Sequence, residues 1–340
     1  MNAPRIHRIA LTIVALMTLG SCATGSSLNR AVRATVESTT APVTATPPAC
    51  TADQRAEDPT RSVAPRGDLP TANAMPAGST MAAIHDRGRL VVGVSGDTLL
   101  FGARNPLSGA IEGFDIDILK EVAKAIFGAD GDNKIEYRVI TYAQRLPKLE
   151  TPVESGGVDI VAHTMTINCN RWLRIAFSSN YYDAGQTVLV RKGSGYTGVE
   201  DLVAAKARVC APSGSTNIDE IRKPIYDGIE VVEVPDVSDC LVSMQQGKAD
   251  AITGDDTVLA GFAAQDPTTE VVAQKAFTAE PYGLGIPLQH TDMVSFVNGV
   301  LEKIRGNGRW KEIYQRWLID TNALPPPIPD PPQPVYGRDG

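Results

Sequence analysis

The fold of this chain is decided by the stretch that runs from Leu90-Val91-Val92-Gly93-Val94 to the segment Phe114–Phe127. The first part is a continuous apolar run, which is typical of a strand buried on both faces of a sheet. The second part predicts a helix, because its apolar residues recur at the spacing of one helix face: Ile116, Leu119, Val122, Ala123 and Ile126. A buried strand followed by an amphipathic helix indicates an α/β architecture.

The same alternation continues along the chain. Further strand-like runs cover Lys134–Ile140, Val158–Ala162, Ala207–Val209 and Ala249–Thr253, and helix-like runs cover Val294–Ile304 and Trp310–Ile319. This rhythm of strands and helices favours an α/β fold. The chain has no tandem repeat of about 20–50 residues, which argues against a solenoid.

Composition limits the class of protein. The 340 residues carry a formal net charge of −7, which argues against a nucleic-acid-binding protein, since such proteins usually have a basic excess. Hydrophobic residues make up 43% of the chain, enough to bury a sizeable core, and the length suggests about two domains. The four histidines are too far apart in sequence to share a helical turn, so we expect no His-rich metal site and no cofactor.

The N-terminus predicts an export signal with a lipid attachment point. Arg5, His7 and Arg8 form a basic head, and the apolar stretch Ile9–Leu19 is too short to span a bilayer. It ends in Leu19-Gly20-Ser21-Cys22, which resembles the bacterial lipobox. We therefore expect a signal peptide over residues 1–21 and lipidation of Cys22, the alternative being a short signal with an incidental cysteine.

Both ends of the exported chain have a biased composition. The segment from Cys22 to about Pro76 is rich in Ala, Thr, Ser and Pro and cannot bury enough apolar surface to offset its ordering entropy. We expect a flexible tether over residues 22–78, apart from the part that Cys50 holds. The Pro-rich tail, residues 321–340, excludes helix. It is expected to lie on the surface or to be disordered, and partner binding is a third possibility.

Four cysteines remain when Cys22 is lipidated, and an even number in an exported chain suggests two disulfide bonds. Four cysteines allow three pairings. We favour Cys210–Cys240, because both lie in one compact segment, which leaves Cys50 to pair with Cys169. Free, buried thiols are the alternative.

Five short segments together carry a resemblance. They are Gly113–Asp117, Thr164–Arg171, Phe177-Ser178 with Tyr181-Tyr182, Gly214–Thr216 and Gly254–Asp256. Each is weak by itself. In this order and behind a lipobox, they resemble the amino-acid-binding branch of the bacterial extracytoplasmic solute-binding proteins, family 3, which includes lipoproteins of glutamate and glutamine ABC transporters. The resemblance covers about residues 79–319.

The resemblance implies a two-lobed type II periplasmic-binding-protein fold with two crossover hinge strands and the ligand held between the lobes. Lobe 1 is then discontinuous, over residues 79–187 and 284–320, and lobe 2 covers residues 188–283. The crossings are expected near Gly185–Val190 and Pro281–Gly285. The protein would be lipid-anchored at the extracytoplasmic face of the cell membrane.

An amino-acid ligand requires a cation for its α-carboxylate and an anion for its ammonium group. By resemblance, Arg171 is the carboxylate partner, and Thr166 and Thr164 add polar contacts. Ser215 and Thr216 are expected to complete the carboxylate site from lobe 2, although Thr216 could be only a helix cap. Asp255 matches the ammonium partner, with Asp256 as the neighbouring alternative, whereas Asp115 and Asp117 are interpreted as structural.

Selection of the ligand side chain is expected at Arg145, which resembles the arginine of the glutamate and aspartate branch. A buried side-chain carboxylate needs such a cation. The alternative is a helix-surface or interlobe ion pair. Phe101 and Arg104 are possible additional contacts, and Asp97 is the acidic candidate in a first loop where Ser95 departs from the family pattern. His163 is interpreted either as a cleft residue or as a core residue.

Three functions remain open. The first is capture of glutamate or aspartate, or their amides, for an ABC permease. The second is amino-acid sensing through a membrane sensor protein. The third is a small-acid dehydratase on the same fold, which we do not favour, because the sequence has no nucleophile elbow, phosphate loop or metal cluster. The protein is therefore predicted not to be an enzyme.

Overall fold

The structure is a computed structural model that describes residues 49–72 and 74–339. The predicted signal peptide and the lipidation site at Cys22 lie outside these residues. Among the residues it does describe, no helix is both long enough and apolar enough for a bilayer crossing.

The chain forms sixteen strands over the described residues. They are β1 (Arg61–Val63), β2 (Leu90–Val94), β3 (Asp97–Thr98), β4 (Gly102–Arg104), β5 (Ile111–Glu112), β6 (Ile135–Val139), β7 (Ile160–Ala162), β8 (Ile175–Phe177), β9 (Tyr182–Arg191), β10 (Arg208–Pro212), β11 (Glu230–Val234), β12 (Ala251–Asp255), β13 (Thr269–Val271), β14 (Thr278–Tyr282), β15 (Gly285–Pro287) and β16 (Val335–Arg338).

Eleven α-helices accompany these strands in the same part of the chain. They are α1 (Ala52–Ala56), α2 (Thr80–Arg87), α3 (Phe114–Phe127), α4 (Arg145–Glu150), α5 (Cys169–Trp172), α6 (Val199–Ala204), α7 (Thr216–Ile221), α8 (Val237–Gln245), α9 (Asp256–Gln265), α10 (Thr291–Gly306) and α11 (Arg309–Tyr314). The helix predicted over Trp310–Ile319 is divided, because α11 gives way to a π-helical turn at Gln315–Ile319. The strand and helix predicted at the start of the fold are confirmed as β2 and α3.

Two main sheets make up the body of the protein. The first has the strand order β6-β2-β7-β15-β8, with β2 parallel to β6 and β7. All five residues of β2 are buried, as expected for a central strand covered on both faces. The second sheet has the order β11-β10-β12-β9-β13, and β14 also pairs with β9. We call the first sheet with its helices lobe 1, and the second with its helices lobe 2. The predicted α/β class is confirmed.

Two short passages of chain connect the lobes. The chain leaves lobe 1 after β8 and enters lobe 2 at the start of β9, so the first passage covers residues 178–181. The residues where the first crossing is expected, Gly185–Val190, lie in β9, the strand that follows this passage. The return passage runs from β14 to β15, within the expected range Pro281–Gly285. The strands β9 and β14 are antiparallel neighbours, so the two passages lie next to each other.

The two ends of the described chain meet on lobe 1. Strand β1 pairs in parallel with β16, and Ser62 and Val63 are buried. The expectation of a flexible tether therefore does not hold for residues 49–72 and 74–78, which are part of the folded body. Local composition could not show this, because the partner strand lies more than 270 residues away. Of the outcomes considered for the tail, the structure has the surface-lying one, since Tyr336 donates a hydrogen bond to Glu302 of α10.

Both predicted disulfide bonds are present. Cys210 and Cys240 join β10 to α8 within lobe 2, with 5.5 Å between their Cα atoms. Cys50 and Cys169 join the N-terminal segment to the start of α5, with 6.1 Å between their Cα atoms. The second bond closes a loop of 119 residues and attaches the chain end to the helix that carries Arg171.

Candidate ligand-binding site

Arg171 lies in the short helix α5, which begins directly after a loop that ends at Asn168. The Asn168 side chain caps the helix by accepting a hydrogen bond from the Arg171 backbone N–H at 2.9 Å. The guanidinium is buried. Its Nη1 donates to the carbonyl oxygen of Thr166 at 2.6 Å, and its Nη2 approaches that of Gly214 in lobe 2 at 3.4 Å.

Arg145 begins α4 and is only 2% exposed. Its guanidinium lies 4.4 Å from the centre of the Tyr142 ring, a cation–π contact, and it donates to the carbonyl oxygens of His163 at 3.1 Å and Gly214 at 3.0 Å. Burial and the nearby positive charge of Arg171 lower the pKa of Arg145 to about 9. Of the alternatives considered for Arg145, the helix surface is excluded, and contact between the lobes is observed.

The hydrogen bonds of both guanidiniums go to backbone carbonyls, and neither side chain forms an ion pair with a carboxylate anywhere in residues 49–72 and 74–339. Two buried cations of like charge therefore lie close together without a direct anionic partner. Burial without an ion-pair partner is electrostatically costly. An anion that bound between them would reduce this cost.

Gly214 is the point at which lobe 2 approaches both arginines. Its φ is +75°, and a Cβ atom there would lie 2.7 Å from the Cα of Ala143 in lobe 1. Only glycine satisfies both the backbone conformation and this close approach. The next residue, Ser215, caps α7 by accepting from the Ile218 N–H at 3.1 Å, so Thr216, for which a helix cap was the alternative, is instead the first residue of the helix.

Thr166 and Thr216 face each other across the lobes, with 3.3 Å between their hydroxyl oxygens. Both donate to the same carboxylate oxygen of Glu280, at 2.6 Å and 2.7 Å. Glu280 lies in β14, next to the return passage, and is buried. The loop that contains Thr166 reaches it because the Ile167 N–H donates to the Pro281 carbonyl at 2.7 Å.

Asp255 ends β12 and is buried. It accepts hydrogen bonds from the Asn217 side chain at 2.8 Å and from the Tyr282 hydroxyl at 2.6 Å. Burial, and then the negative charge of Glu280, raise the pKa of Asp255 to about 7. The alternative residue, Asp256, opens α9 and accepts from the adjacent Thr257 N–H. Asp255 is thus a buried carboxylate whose negative charge acts on both Arg145 and Arg171.

Thr164 is held in place by Asp115. Its backbone has a φ of +41°, and its N–H donates to Asp115 at 2.8 Å, whose other oxygen accepts from the Tyr181 hydroxyl at 2.6 Å. This contact agrees with the structural interpretation of Asp115. The neighbouring His163 is buried against the Tyr142 ring, and burial, together with the charge of Arg145, lowers its pKa to about 3. His163 is therefore a neutral residue of the core.

The three candidates in and after the first loop lie in different environments. Asp97 accepts from the Ser238 hydroxyl of lobe 2 at 2.5 Å and from the Ser95 hydroxyl at 2.8 Å, so it joins the lobes. Phe101 is fully buried among aromatic rings of lobe 1 and the two passages, including Tyr282, and forms part of the core. Arg104 donates to the Gly109 carbonyl of its own hairpin at 2.7 Å and does not join the other candidates.

Several residues of the site were missed by sequence reasoning: Tyr142, Asn217, Ser238, Glu280 and Tyr282. For three of them a signal was available. Tyr142 lies three residues before Arg145, and Glu280 and Tyr282 flank the proline of the expected return passage. Asn217 and Ser238 lie on helices and have no local pattern that distinguishes them from exposed polar residues.

The arrangement can bind a zwitterion. It offers two guanidiniums and the Asp255 carboxylate in buried positions, which matches the charges of an amino acid. In the part of the chain that the structure describes, no group of three or more potential ligand side chains could hold a metal ion.

Comparison with known proteins agrees with this chemistry. Residues 90–320 match the family model of bacterial extracellular solute-binding proteins, family 3. The chain is 37% identical over 244 residues to an ABC transporter glutamine-binding protein of Bacillus subtilis, covering 72% of this chain and 86% of that protein. It is 29% identical over 251 residues to a glutamate-binding protein of Corynebacterium efficiens, covering 72% and 82%.

A solved structure shows the same fold. A mutant of ArgBP from T. maritima superposes with a TM-score of 0.63 and 30% identity, covering 70% of this chain and 99% of that one. The type II periplasmic-binding-protein fold is thereby confirmed, and so is the prediction of a binding protein rather than an enzyme. The chain belongs to the bacterial extracellular solute-binding proteins, family 3.

Proposed function

We propose that this protein captures glutamate or aspartate between its lobes and delivers it to an ABC importer. The observation that carries the proposal is the pair of buried guanidiniums, Arg145 and Arg171, that have no ion-pair partner among the described residues. An acidic amino acid brings two carboxylates, one for each cation. The similarity to a glutamine-binding and a glutamate-binding protein supports a ligand of this size and keeps the amides as competing ligands.

The α-carboxylate binds at Arg171 in this proposal. The planar guanidinium can donate two parallel hydrogen bonds, and it retains further N–H groups beside those that reach the Thr166 and Gly214 carbonyls. The hydroxyls of Thr166 and Thr216 lie beside it. The ammonium group binds at Asp255, whose carboxylate is held by Asn217 and Tyr282.

The side-chain carboxylate binds at Arg145. This guanidinium is already desolvated, and its pKa is lowered to about 9 by burial and by Arg171, so an anion that approaches it gains more than it would in water. An amide would make weaker hydrogen bonds to the same cation, because charge-assisted hydrogen bonds are roughly twice as strong as neutral ones.

Lobe closure provides capture and release. Arg145 reaches Gly214, Thr166 reaches Thr216, and Asp97 reaches Ser238, so three contacts join the lobes around the site. A ligand that touches both lobes binds the closed form better and shifts the population toward it. The lipid anchor at Cys22 would keep the closed, loaded protein at the membrane that contains the permease.

Replacing Arg171 by alanine is expected to abolish binding of every amino acid. Removing one partner of a buried charge pair costs about 2–5 kcal/mol, which is a loss of at least roughly 30-fold in affinity. Calorimetric titration with glutamate, aspartate, glutamine and asparagine measures it. Arg174→Ala is the control, because Arg174 lies three residues on and pairs with Glu150 at the surface. Unchanged affinity in Arg171→Ala would refute the assignment of the α-carboxylate site.

Replacing Arg145 by alanine is expected to reverse the preference for acids. We expect glutamate and aspartate to lose about 10–100-fold in affinity, as for a hydrogen bond to a charged group, and the amides to lose much less. The same titrations measure this, with Lys148→Ala on the same helix as control, since Lys148 donates only to the Gly156 carbonyl. Equal losses for acids and amides would make Arg145 a structural contact between the lobes.

Affinity is expected to fall in acid, because Asp255 must be ionised to pair with an ammonium group. A pKa of about 7 in the free protein means that binding releases a proton, so the affinity for glutamate should drop about 20-fold from pH 7.5 to 5.5. Asp255→Asn should bind weakly at both pH values and show no such slope. A slope that persists in this variant would assign the titration to another group.

Replacing Cys22 by alanine is expected to release the protein from the membrane without changing its affinity in solution, because the lipid attachment is lost and the folded body is untouched. Fractionation of cells into membrane and soluble material, with Cys22→Ser for comparison, measures this. Retention of both variants at the membrane would show that another segment anchors the protein.

A further inference from the structure

The helix that carries Arg171 is held from outside by both ends of the described chain. We call residues 49–63 together with β16 the collar, since β1 and β16 pair there. Three of the four residues of α5 bind the collar. Cys169 forms the disulfide bond with Cys50, the Asn170 side chain accepts from the Cys50 N–H at 2.9 Å, and the Trp172 indole donates to the Pro59 carbonyl at 2.8 Å.

The C-terminal strand covers the same helix. The guanidinium of Arg338 in β16 lies 4.1 Å from the centre of the Trp172 ring, and its Nε donates to the Arg61 carbonyl of β1 at 2.6 Å. The ring of Phe177 packs edge-on to Trp172, with 5.5 Å between the centroids. Trp172 is thus enclosed by the collar on one side and by β8 on the other.

The collar also contacts the two elements that hold the start of the first passage, the end of β8 and α10. The Ser62 hydroxyl of β1 donates to the Phe177 carbonyl at 2.8 Å. Asn298 of α10 donates to the Val63 carbonyl at 2.7 Å and accepts from the Ser179 N–H at 2.6 Å. The collar is therefore linked to the start of the first passage through the end of β8 and through Asn298.

A four-residue helix cannot hold its own conformation, because helix nucleation is unfavourable and α5 is too short for propagation to compensate. Inside the helix, the Asn168 cap is the main local restraint. The orientation of Arg171 depends on the neighbours that hold Cys169, Asn170 and Trp172, and these neighbours belong to the collar.

We infer that the collar, through the Cys50–Cys169 disulfide bond and Trp172, is a positioning element that sets the affinity of the Arg171 site for the ligand α-carboxylate. This inference rests on the proposed function, since it takes Arg171 as the carboxylate partner. Cys50, Cys169 and Trp172 are positioning residues, because they act on the ligand only through α5.

The test is a thermodynamic cycle in the full-length protein, in which removal of the disulfide is combined with Arg171→Lys. The Cys50→Ser/Cys169→Ser variant should lose about tenfold in affinity for glutamate. In the Arg171→Lys variant, removal of the same disulfide bond should lower the affinity for glutamate less than twofold. Lysine lacks the planar fork whose orientation the collar sets. Equal losses in both backgrounds, or no loss in the first, would overturn the inference.

Trp172→Phe provides a second route that keeps the disulfide bond. It retains a ring beside Phe177, removes the hydrogen bond to Pro59 and weakens the cation–π contact with Arg338. A loss of about threefold in affinity for glutamate is expected, again only when residue 171 is arginine. This variant keeps the inference testable if the double cysteine variant does not fold. A loss of the same size in the Arg171→Lys background would contradict it.

The matched control is Cys210→Ser/Cys240→Ser, which removes the disulfide bond of lobe 2. It should lower the melting temperature and leave the affinity for glutamate unchanged. An equal fall in affinity would mean that lost stability, not the position of Arg171, is responsible.

Failure of the proposed function and failure of this inference give different results. If the proposed function is wrong, Arg171→Ala binds glutamate normally. If only this inference is wrong, Arg171→Ala still abolishes binding, and the collar variants keep full affinity.

Discussion

Burial of two like charges beside one backbone carbonyl is the constraint on which the site depends. Arg145 and Arg171 come from separate helices of lobe 1, yet both donate to the Gly214 carbonyl of lobe 2. The closed arrangement therefore holds two desolvated cations together, which is costly without an anion. It also requires glycine at position 214, since a Cβ atom there would meet the backbone of Ala143. The contact at Gly214 therefore both joins the lobes and brings the two cations together.

The negative groups of the site lie at the passages between the lobes and in lobe 2. Glu280 holds the hydroxyls of Thr166 and Thr216, one from each lobe, and its charge helps to raise the pKa of Asp255. Tyr282, two residues on, donates to Asp255. Strand β14, which leads into the return passage, thus supplies both the carboxylate that joins the two threonines and a hydrogen-bond donor to Asp255.

The two ends of the described chain contact the helix that carries Arg171. A parallel pair of three- and four-residue strands contributes little stability by itself. Its value lies in what it attaches: the disulfide bond from Cys50 and the covered indole of Trp172 both act on the helix of Arg171. A segment whose composition favours disorder becomes ordered here because covalent and tertiary contacts compensate for the entropy.

The sequence by itself determined the α/β class, the strand Leu90–Val94 and the helix Phe114–Phe127, because apolar periodicity is a local property. It favoured the disulfide pairing that the structure has, although the number of cysteines alone left three pairings open. Together with the family resemblance, it also indicated Arg171, Thr166 and Asp255. Only the tertiary structure decided that Phe101 lies in the core, that Arg145 bridges the lobes and that Glu280 belongs to the site. These outcomes depend on which distant elements approach each other, and for Glu280 the sequence offered only its place beside the proline of the expected return passage.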